Sequence, residues 1–430
     1  MSDLILTRRM VAHPRDSHTL GRYLETGGYT SLRKALFDMS REDVIAEVKA
    51  SNMRGRGGAG FPMGVKWGFL APAEPRYLVV NCDESEPGTF NDRQLTERDP
   101  HQLLEGIAIA SYALGVDHAF VYIRGEYPKA ARRLQHAIEE AYEAGHLGTN
   151  IQGSDYSLEV TIHLGGGAYI CGEETALLNS LEGRRGEPRL KPPFPAVEGL
   201  YAKPTIVNNV ESIANVPWIV ENSGAAYAAI GPERSAGMKM VSVSGHVNKP
   251  GNYEIELGMT WREFIYDIAG GIRDGLELKA WIPGGASSPW FVPEVHLDTP
   301  FTIDDVASNG SMLGAGAVIV MDENTNVVAA AHRLVYFFAD ESCGQCTPCR
   351  EGTSWLASVL QRILDGHGRT EDIDLLLSIS ESISPGLKWP PAMTTICPLG
   401  PSAVSPVTSI TRWFRPEIEA MISTSGVSHG

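Results

Sequence analysis

The feature that most constrains the fold of this chain is a cluster of cysteines near its carboxyl end. Cys343, Cys346 and Cys349 recur at every third position, which puts three sulfurs within reach of one small inorganic centre. Cys397 is the only other cysteine in this half of the chain. A [4Fe–4S] cluster takes one thiolate on each iron, so three clustered cysteines and one remote cysteine match its needs. The sequence therefore predicts an iron–sulfur cluster on these four residues.

Two other uses of the cysteines compete with this interpretation. A structural zinc site also takes four cysteines, but it usually divides them into two pairs, whereas the division here is three and one. Disulfides are disfavoured because six cysteines in 430 residues, without a signal peptide at the start, fit a reducing compartment. No apolar run approaches the length of about 18 residues that a membrane span needs. We expect a cytosolic or cytosol-facing protein.

The overall composition limits the function further. A length of 430 residues suggests about three domains. The formal net charge of −16 argues against a general nucleic-acid-binding protein, which would carry basic stripes.

From residue 73 onward the apolar pattern alternates between strands and helices. The predicted strands are short apolar or alternating runs over residues 77–80, 119–123 and 158–164. The predicted helices begin at Pro100, at Pro128 and near Glu173. This alternation predicts a mostly parallel sheet with ligands at the carboxyl ends of its strands.

The remaining segments have different patterns. The first 72 residues are predicted to be helical, with a capping box from Ser40 and Asp43, and then glycine-rich. Residues 238–328 predict a small α+β domain in which a hairpin precedes a helix that begins at Thr260. The last hundred or so residues predict a small helical bundle that holds the cysteine loop.

Two helices are predicted within that bundle. One helix has a wide apolar face formed by Trp355, Leu356, Val359, Leu360, Ile363 and Leu364. A second helix is predicted to begin at Thr370. The expected division of the whole chain is thus 1–72, 73–237, 238–328 and 329–430.

The glycine-rich segment, residues 55–60, matches the pattern G-x-G-x-x-G. A Rossmann fingerprint would follow a strand and open a helix, but here a helix precedes and Phe61 and Pro62 follow. Consecutive small residues expose backbone N–H groups that can hold an anionic group closely. With Arg56 inside the segment and Lys66 close behind, phosphate binding is favoured over a plain flexible turn.

Polar residues follow two of the predicted strands. Residues 81–86 come directly after a buried strand, and their polar groups suit the hydroxyls of a ribose or ribityl chain. A solvated acidic turn or a magnesium site is the alternative. Glu173 and Glu174 follow the third strand at a helix start, where one of them could simply cap the helix. Cys171 is expected to be a buried free thiol.

Five motifs in order, covering nearly the whole chain, resemble the NADH-binding flavoprotein subunit of respiratory complex I. They are Gly55–Trp67, Asn81–Asp92, Ala168–Leu177, Lys191–Pro195 and Glu341–Arg350. The resemblance implies an α/β fold with a Rossmann-like FMN- and NADH-binding domain, a small ubiquitin-like α+β domain and a helical bundle with a [4Fe–4S] cluster. Two departures are Cys82, where relatives usually carry alanine, and Met63, where a small hydroxyl residue is usual.

The resemblance also implies roles for individual residues. FMN would be held by Gly55, Arg56, Gly57, Gly58, Lys66, Asn81, Asp83, Glu84, Tyr169, Gly172, Glu173, Asn208 and Asn209, with Ser85 in the same site. The adenine of NADH would stack among Phe61, Phe69 and Phe194, and Glu86, Glu174 and Lys191 would contact the same cofactor. Cys343, Cys346, Cys349 and Cys397 would ligate the cluster.

The implied activity is oxidation of NADH by hydride transfer to FMN, followed by single-electron transfer to the cluster. Hydride transfer needs no side-chain acid or base, so no catalytic residue is predicted. The implied partners are a thioredoxin-like [2Fe–2S] subunit and a large iron–sulfur subunit, on the cytoplasmic face of the inner membrane. One alternative is the diaphorase subunit of a soluble NAD-linked hydrogenase or formate dehydrogenase. Another is a zinc-stapled nucleotide-binding module without redox activity.

Overall fold

A four-stranded parallel sheet lies at the centre of the amino-terminal half of the chain. In this computed structural model, which describes residues 4–425, the strand order is β3-β2-β1-β4. The strands are β1 (Tyr77–Cys82), β2 (His118–Ile123), β3 (Glu159–Leu164) and β4 (Thr205–Asn209). Leu78, Val79 and Val80 are fully buried in β1, as expected for a parallel sheet covered on both faces.

Helices surround this sheet. They are α1 (Arg8–Ala12), α2 (Leu20–Glu25), α3 (Thr30–Asp38), α4 (Arg41–Ala50), α5 (Met63–Trp67), α6 (Asn91–Arg98), α7 (Pro100–Leu114), α8 (Pro128–Glu143), α9 (Glu174–Leu181), α10 (Val210–Ala214), α11 (Val216–Asn222) and α12 (Gly224–Ala228). The predicted capping box of Ser40 and Asp43 is confirmed at the start of α4. Gly115 ends α7 in the left-handed conformation that glycine favours.

The sequence analysis missed one strand of this sheet. It placed a helix from Asn208 onward, whereas Thr205–Asn209 form β4 and the helix α10 begins at Val210. The strand has only two apolar residues at its centre, Ile206 and Val207, and it follows a proline-rich loop. Pairing with β1 determines its conformation, and local sequence does not report such pairing.

Buried polar groups fix the first helices against α7. The Glu105 carboxylate accepts hydrogen bonds from the backbone N–H groups of Tyr29 and Leu32, both at 2.9 Å. Arg9 pairs with Asp99, and both side chains are almost fully buried. Burial raises the pKa of Asp99 to about 6, and the Arg9 guanidinium opposes that rise. Each buried charge therefore has a partner, as the low polarity of the surroundings requires.

The chain forms two units, and the second begins within β5 (Met238–Gly245) and takes in most of the later residues. The first unit comprises the chain before Glu86 together with Thr89–Val241 and Asn252–Gly258. The second comprises Glu86–Gly88, Ser242–Gly251 and the chain from Met259 onward.

The second unit contains strands and a helical bundle. Its strands are β7 (Leu278–Ile282) and β8 (Ala317–Asp322), and β6 (Gly251–Glu256) begins in it. Strand β8 pairs in parallel with Ser242–Gly245 and antiparallel with β7. Its α-helices are α13 (Pro293–His296), α14 (Ile303–Ser308), α15 (Val327–Asp340), α16 (Thr347–Leu364), α17 (Asp372–Ile383), α18 (Leu399–Trp413) and α19 (Arg415–Ser425).

Three predictions in this unit need correction. The helix predicted from Thr260 is capped by the Thr260 side chain, but it continues as a π-helix over Glu263–Ile268. The apolar face of α16 includes Leu356, Val359, Leu360 and Ile363, whereas Trp355 is 56% exposed and Leu364 is only partly buried. The helix predicted from Thr370 begins at Asp372. A tryptophan next to an apolar stripe is not distinguishable from a member of the stripe by spacing alone.

No helix in residues 4–425 is both long enough and apolar enough to cross a membrane.

The contact between α7 and α10 allows a test of the first unit. A Cβ added at Gly106 would lie 2.2 Å from the carbonyl oxygen of Ile213, which is backbone and cannot yield. We expect Gly106→Ala to destabilise this unit by about 1–3 kcal/mol, the usual cost of overpacking. Hydrogen–deuterium exchange of β1 should show reduced protection of its amides.

Gly21 provides the matched control, because it also lies in a helix but has nothing within 4 Å of the added Cβ. Gly21→Ala should keep or raise the protection, since alanine favours the helix by about 0.5–1 kcal/mol. Equal protection in both variants would contradict the close contact at Gly106.

Candidate functional site

The carboxyl edge of the parallel sheet brings together side chains that are far apart in the sequence. Asn81 of β1 lies opposite Asn209 of β4 in the strand register. The Asn81 amide donates to the carbonyl oxygen of Gly172 at 2.9 Å, and its oxygen accepts from the Asp83 N–H at 3.0 Å. Four predicted binding residues thus share one edge, which is where open α/β sheets bind ligands.

The glycine-rich segment, residues 55–60, forms a closed turn. The Gly55 N–H donates to the carbonyl oxygen of Phe61 at 2.9 Å, and Arg54 Nε donates to the carbonyl oxygen of Gly60 at 2.6 Å. Gly58 and Gly60 have φ angles of 131° and 62°, which strongly favour glycine. Hydrogen bonds therefore fix the shape of this turn.

Gly57 is constrained by a close neighbour. It has no positive φ, but a Cβ built on it would lie 2.9 Å from the Cβ of Asn209. The backbone of the turn therefore approaches the end of β4 more closely than any other residue type would permit.

Arg56 lies inside the protein, although it belongs to the glycine-rich segment. Its side chain is only 1% exposed, and Nη2 donates to the carbonyl oxygen of Ala236 at 2.7 Å and to the Tyr227 hydroxyl at 3.3 Å. Its backbone N–H donates to the Ser212 hydroxyl at 2.9 Å. Arg56 therefore anchors the turn from behind, through a buried guanidinium.

Glu173 and Glu174 have different roles at the start of α9. The Glu173 carboxylate accepts from the N–H groups of Thr175 and Ala176 at 2.8 and 2.9 Å, so it caps the helix. Glu174 instead pairs with Lys66 at 3.0 Å and with Lys191 at 2.9 Å. Of the two carboxylates, Glu174 is the one not used in capping.

The charges around Glu174 determine its protonation state. Burial raises the pKa of Glu174, but the lysine charges outweigh burial and lower that pKa below its usual value. Burial lowers the pKa of Lys191, and the Glu174 and Glu173 carboxylates overcome it and raise that pKa. All these groups are charged at neutral pH. Because the pKa of Glu174 is depressed, the stabilisation from this pairing is lost only as the pH falls through that lowered value.

Two more predicted residues are held by side-chain hydrogen bonds. Glu84 accepts from the N–H groups of Asp92 and Arg93 at 2.8 and 2.9 Å, so its carboxylate caps the start of α6. Asn208 accepts from the Trp67 indole N–H at 2.9 Å. The Glu84 carboxylate is thus engaged within the protein.

Aromatic residues are exposed near these groups in the sequence. Phe61 and Phe69 lie with ring centroids 6.1 Å apart, and their exposed fractions are 47% and 57%. Phe194 is also 57% exposed. Tyr169 begins a short 3₁₀ turn that ends at Gly172. Large aromatic side chains are seldom left in solvent as a group, so these rings suit stacking with a planar ligand.

Glu86 belongs to the second unit rather than to the sheet. Its Oε1 accepts from the N–H and the hydroxyl of Ser287, at 2.7 and 2.6 Å. Ser85, by contrast, belongs to the first unit and is partly buried. No local signal in the sequence indicates that Ser287 holds Glu86, because 201 residues separate them.

The two cysteines of the first unit are buried thiols. Cys82 lies under α6, with its sulfur 3.7 Å from the Thr96 hydroxyl, and burial raises the pKa of the Cys82 thiol well above its usual value. Cys171 is buried and free, as predicted. Cys82 is therefore a protonated packing residue beneath the site.

The three clustered cysteines lie at the start of α16. Arg350 donates to the carbonyl oxygen of Gly344 at 2.8 Å and so closes the loop. Burial raises the pKa of the Cys349 thiol to about 11, the Ser342 hydroxyl opposes that rise, and Cys346 and Cys343 add to it. The three sulfurs are therefore near enough to influence one another.

Cys397 is buried just before α18, and Ile383 connects it with the cysteine loop. A Cβ built on Gly352 of α16 would lie 2.7 Å from Ile383, and one built on Gly400 of α18 would lie 2.9 Å from it. The ends of α16 and α18 that carry the cysteines thus pack on the same side chain. Even so, no group of three or more His, Cys, Asp or Glu side chains within the described range is arranged to hold a metal ion.

Family models account for most of the chain. Residues 48–218 match the Nuo51 FMN-binding domain, residues 239–320 match the SLBB domain, and residues 329–421 match the NADH-ubiquinone oxidoreductase-F iron-sulfur binding region. The corresponding NADH-quinone oxidoreductase subunit of Rhizobium meliloti is 50% identical, over 95% of this chain and 95% of that protein. The chain belongs to this family. The NADH-quinone oxidoreductase subunit of Streptomyces coelicolor is 52% identical, over 96% of this chain and 90% of the relative.

Solved structures show the same fold. An NAD⁺-reducing [NiFe]-hydrogenase in its H₂-reduced state matches with a TM-score of 0.82 and 34% identity over 94% of this chain. Its air-oxidised state gives 0.81 and 34%. The chain spans 66% and 67% of the two hydrogenase chains. As a member of the NADH-quinone oxidoreductase family with FMN-binding and iron–sulfur regions, the chain is the flavoprotein subunit of an NADH dehydrogenase and uses FMN and a [4Fe–4S] cluster.

The residues present fit these cofactors. The closed glycine turn offers backbone N–H groups and the close approach that a phosphate needs. The sheet edge offers amide and carboxylate groups for a hydroxylated chain. The second unit offers four cysteines, which are the donors an iron–sulfur cluster takes.

Sequence reasoning missed the residues that support the site. Ser212 and Tyr227 hold Arg56, and Asp92 meets both Glu84 and Asn209. The spacing of Asn209 and Ser212 is a helix-capping signal, and α10 is indeed capped in this way. The contacts of Tyr227 and Asp92 join distant segments and have no local signal.

The close approach of Gly57 allows a test of the flavin site. Gly57→Ala would push the turn away from Asn209, and we expect it to lose FMN, with a purified flavin content below about a tenth of wild type because close backbone approach is lost. Flavin absorbance per protein after gel filtration measures the effect.

Gly166, in the loop after β3, provides the control. It has no positive φ and nothing within 4 Å of an added Cβ, so Gly166→Ala should retain its FMN. A full flavin content in Gly57→Ala would place FMN elsewhere.

Proposed function

We propose that FMN and NADH bind at the carboxyl edge of the first sheet, and that this chain is the subunit through which electrons enter complex I. One observation supports this most: the closed glycine turn approaches Asn209 at the edge that also carries Asn81, Asp83 and Gly172. FMN is assigned to the backbone of Gly55, Gly57 and Gly58 and to Lys66, Asn81, Asp83, Ser85, Tyr169, Gly172, Asn208 and Asn209.

Three predicted FMN residues receive a supporting role in this proposal. Arg56 anchors the glycine turn, Glu84 caps α6 and Glu173 caps α9. These contacts use their charged groups within the protein. Each therefore acts by fixing an element that carries other binding groups.

NADH is assigned to the exposed aromatic and charged groups. Phe61, Phe69 and Phe194 are exposed and suit stacking with adenine. Glu174, held between Lys66 and Lys191, is assigned to the ribose hydroxyls, and Glu86 to the same cofactor. Their charges are already paired, so the site loses little conformational freedom when it binds NADH.

The mechanism follows from binding and orientation. Bound FMN accepts two electrons as a hydride and passes electrons singly to an iron–sulfur cluster. The side chains hold the nicotinamide against the flavin, and none of them needs to act as a general acid or base. The aromatic side chains also exclude water from the bound dinucleotide.

The cluster is assigned to Cys343, Cys346, Cys349 and Cys397. Its support is the packing of both cysteine-bearing helix ends on Ile383. Insertion of the cluster would close the ligand set, since metal binding and local folding are coupled. The domains are proposed as 1–72, 73–237, 238–328 and 329–430.

The partners are proposed from the family. A multi-subunit assembly follows from the names of the relatives. Its immediate partners would be a thioredoxin-like [2Fe–2S] subunit and the large iron–sulfur subunit. The complex would hold this chain peripherally on the cytoplasmic face of the inner membrane.

A second candidate is the diaphorase subunit of an NAD-linked hydrogenase. The TM-score of 0.82 to such a hydrogenase chain favours it, whereas the curated relatives with about 50% identity favour complex I. Affinity purification from the native host distinguishes the two. Copurification of membrane quinone-reducing subunits supports complex I, and copurification of a nickel-containing subunit overturns it.

Cysteine replacement tests the cluster assignment. Cys346→Ser and Cys397→Ser should each lose most of the cluster iron and keep FMN, because a serine oxygen is a poor ligand for this site. NADH would still reduce an artificial acceptor, but electron transfer to the partner subunits would fail. Iron and sulfide content and the EPR spectrum of the reduced protein measure the loss.

Cys171→Ser is the control, since Cys171 is a buried free thiol of the first unit and should leave the cluster intact. A full cluster signal in Cys397→Ser would show that the fourth ligand has been misassigned.

The choice between NADH and NADPH tests Glu174. The 2′-phosphate of NADPH adds a charge of about −1.5 to −2, which the Glu174 carboxylate would repel. Lys66 and Lys191 offset part of this repulsion. We therefore expect Glu174→Gln to raise kcat/KM for NADPH by about tenfold and to lower that for NADH less.

Glu173→Gln is the comparison, because Glu173 caps α9. It should lower thermal stability and leave the ratio of NADPH to NADH efficiency unchanged. A change of that ratio in Glu173→Gln alone would transfer the role to Glu173.

A further inference from the structure

A cluster of buried charged side chains lies directly behind Asn209. Glu84, Asp92, Glu211 and Lys239 are 6%, 8%, 0% and 2% exposed. Nothing in the activity described above uses Asp92, Glu211 or Lys239. Three carboxylates thus share one ammonium group in a region of low polarity, and such an arrangement favours a proton on one of them.

The ammonium group is committed to Glu211. Lys239 donates to Glu211 Oε2 at 2.5 Å and to the carbonyl oxygen of Met240 at 2.9 Å. The other oxygen, Glu211 Oε1, accepts from the Met240 N–H at 2.8 Å. Glu211 is therefore well satisfied as a carboxylate.

Glu84 is also stabilised as a carboxylate. It accepts from two backbone N–H groups of α6, and Glu84 Oε2 accepts from the Tyr127 hydroxyl at 3.0 Å. Arg124 donates to the Glu84 backbone carbonyl at 2.7 Å rather than to the carboxylate. The side chain of Arg93 extends toward Glu97, 3.5 Å away.

Asp92 is the least compensated of the three carboxylates. Asp92 Oδ1 accepts from the Glu211 N–H at 3.2 Å, and Oδ2 accepts from the Asn209 amide at 3.4 Å. Both distances are long for hydrogen bonds to a charged oxygen. The nearby Cys82 thiol carries no charge to compensate it. Asp92 is thus the group on which a proton is held most easily.

Asn209 connects this carboxyl group with the glycine turn. It meets Asp92 on one side, and on the other side its Cβ lies 2.9 Å from the Cβ position of Gly57. A phosphate bound at the turn brings a charge of about −1.5 to −2 at neutral pH. One residue then separates that charge from Asp92.

We propose that Asp92 takes up a proton when FMN binds, so that flavin binding and proton uptake are coupled at this carboxyl group. The inference rests on the proposed position of FMN at the glycine turn. The negative phosphate and an ionised Asp92 repel each other through a partly desolvated region, and protonation of Asp92 removes the repulsion. The protonated carboxyl group can still accept from the Asn209 amide and hold it in place.

The direction of the pH dependence follows. In the flavin-free protein, burial raises the pKa of Asp92 well above its usual value, Glu84 and Glu211 raise it further, and Lys239 lowers it. Bound phosphate raises it again. FMN affinity is therefore full below the pKa of the free protein and falls as pH rises, by at most about tenfold per pH unit until the pKa of the complex is passed.

Calorimetry of FMN binding to the flavin-free full chain tests this coupling. Titrations at pH 8 in buffers of different ionisation enthalpy give the number of protons taken up, and at this pH the FMN phosphate, with a second pKa of about 6, contributes almost none. Wild type should take up a measurable fraction of one proton. Asp92→Asn cannot take up this proton and should show essentially none, with little change of affinity between pH 7 and 9.

Asp117→Asn is the matched control, because Asp117 is exposed in the same unit and its loss changes the net charge equally. It should take up the same fraction of a proton as wild type. Equal proton uptake in wild type and Asp92→Asn would overturn the proposal. If Asp92→Asn does not fold, wild-type binding alone decides, since affinity unchanged from pH 6.5 to 9 also overturns it.

These outcomes are separate from the proposed flavin site. Retention of FMN by Gly57→Ala would remove the premise that FMN lies at the glycine turn. Loss of FMN by Gly57→Ala, together with proton uptake that does not depend on Asp92, would leave the site in place and overturn the coupling alone.

Discussion

The close approach of the glycine turn to the end of β4 is the constraint on which the rest of the site depends. Gly57 leaves no room for a Cβ beside Asn209, and the buried guanidinium of Arg56 holds the turn at this distance. Arg56 is in turn fixed by Tyr227 and by the backbone carbonyl of Ala236. A turn held in this way presents its N–H groups without the entropy cost of ordering them when a ligand binds.

Charge balance determines which acidic residues can serve a ligand. Glu84 and Glu173 accept hydrogen bonds from backbone N–H groups at helix starts, so their charges are used inside the protein. Glu174 is instead held between two lysines and remains partly exposed. Acidic residues that look equivalent in the sequence therefore have different functions, and hydrogen bonding to helix N-termini separates them.

The second unit depends on a different constraint. Its bundle buries an apolar face of α16 against α17 and α18, and Ile383 touches the helix ends that carry Cys349 and Cys397. Two small residues, Gly352 and Gly400, permit this contact. The bundle therefore sets the positions from which four sulfurs can surround one cluster.

The sequence by itself determined the parallel sheet, the main helices, the cysteine ligand set and the family, because hydrophobic periodicity, capping residues and motif spacing are local properties. It did not determine the strand β4, the exposure of Trp355 or the burial of Arg56. It also did not separate Glu173 from Glu174 or find the contact of Asp92 with Asn209. Only the tertiary structure decided these, because each depends on a neighbour distant in the chain. Strand pairing, burial and shared charges arise when such segments pack together, and local sequence does not encode the distance between them.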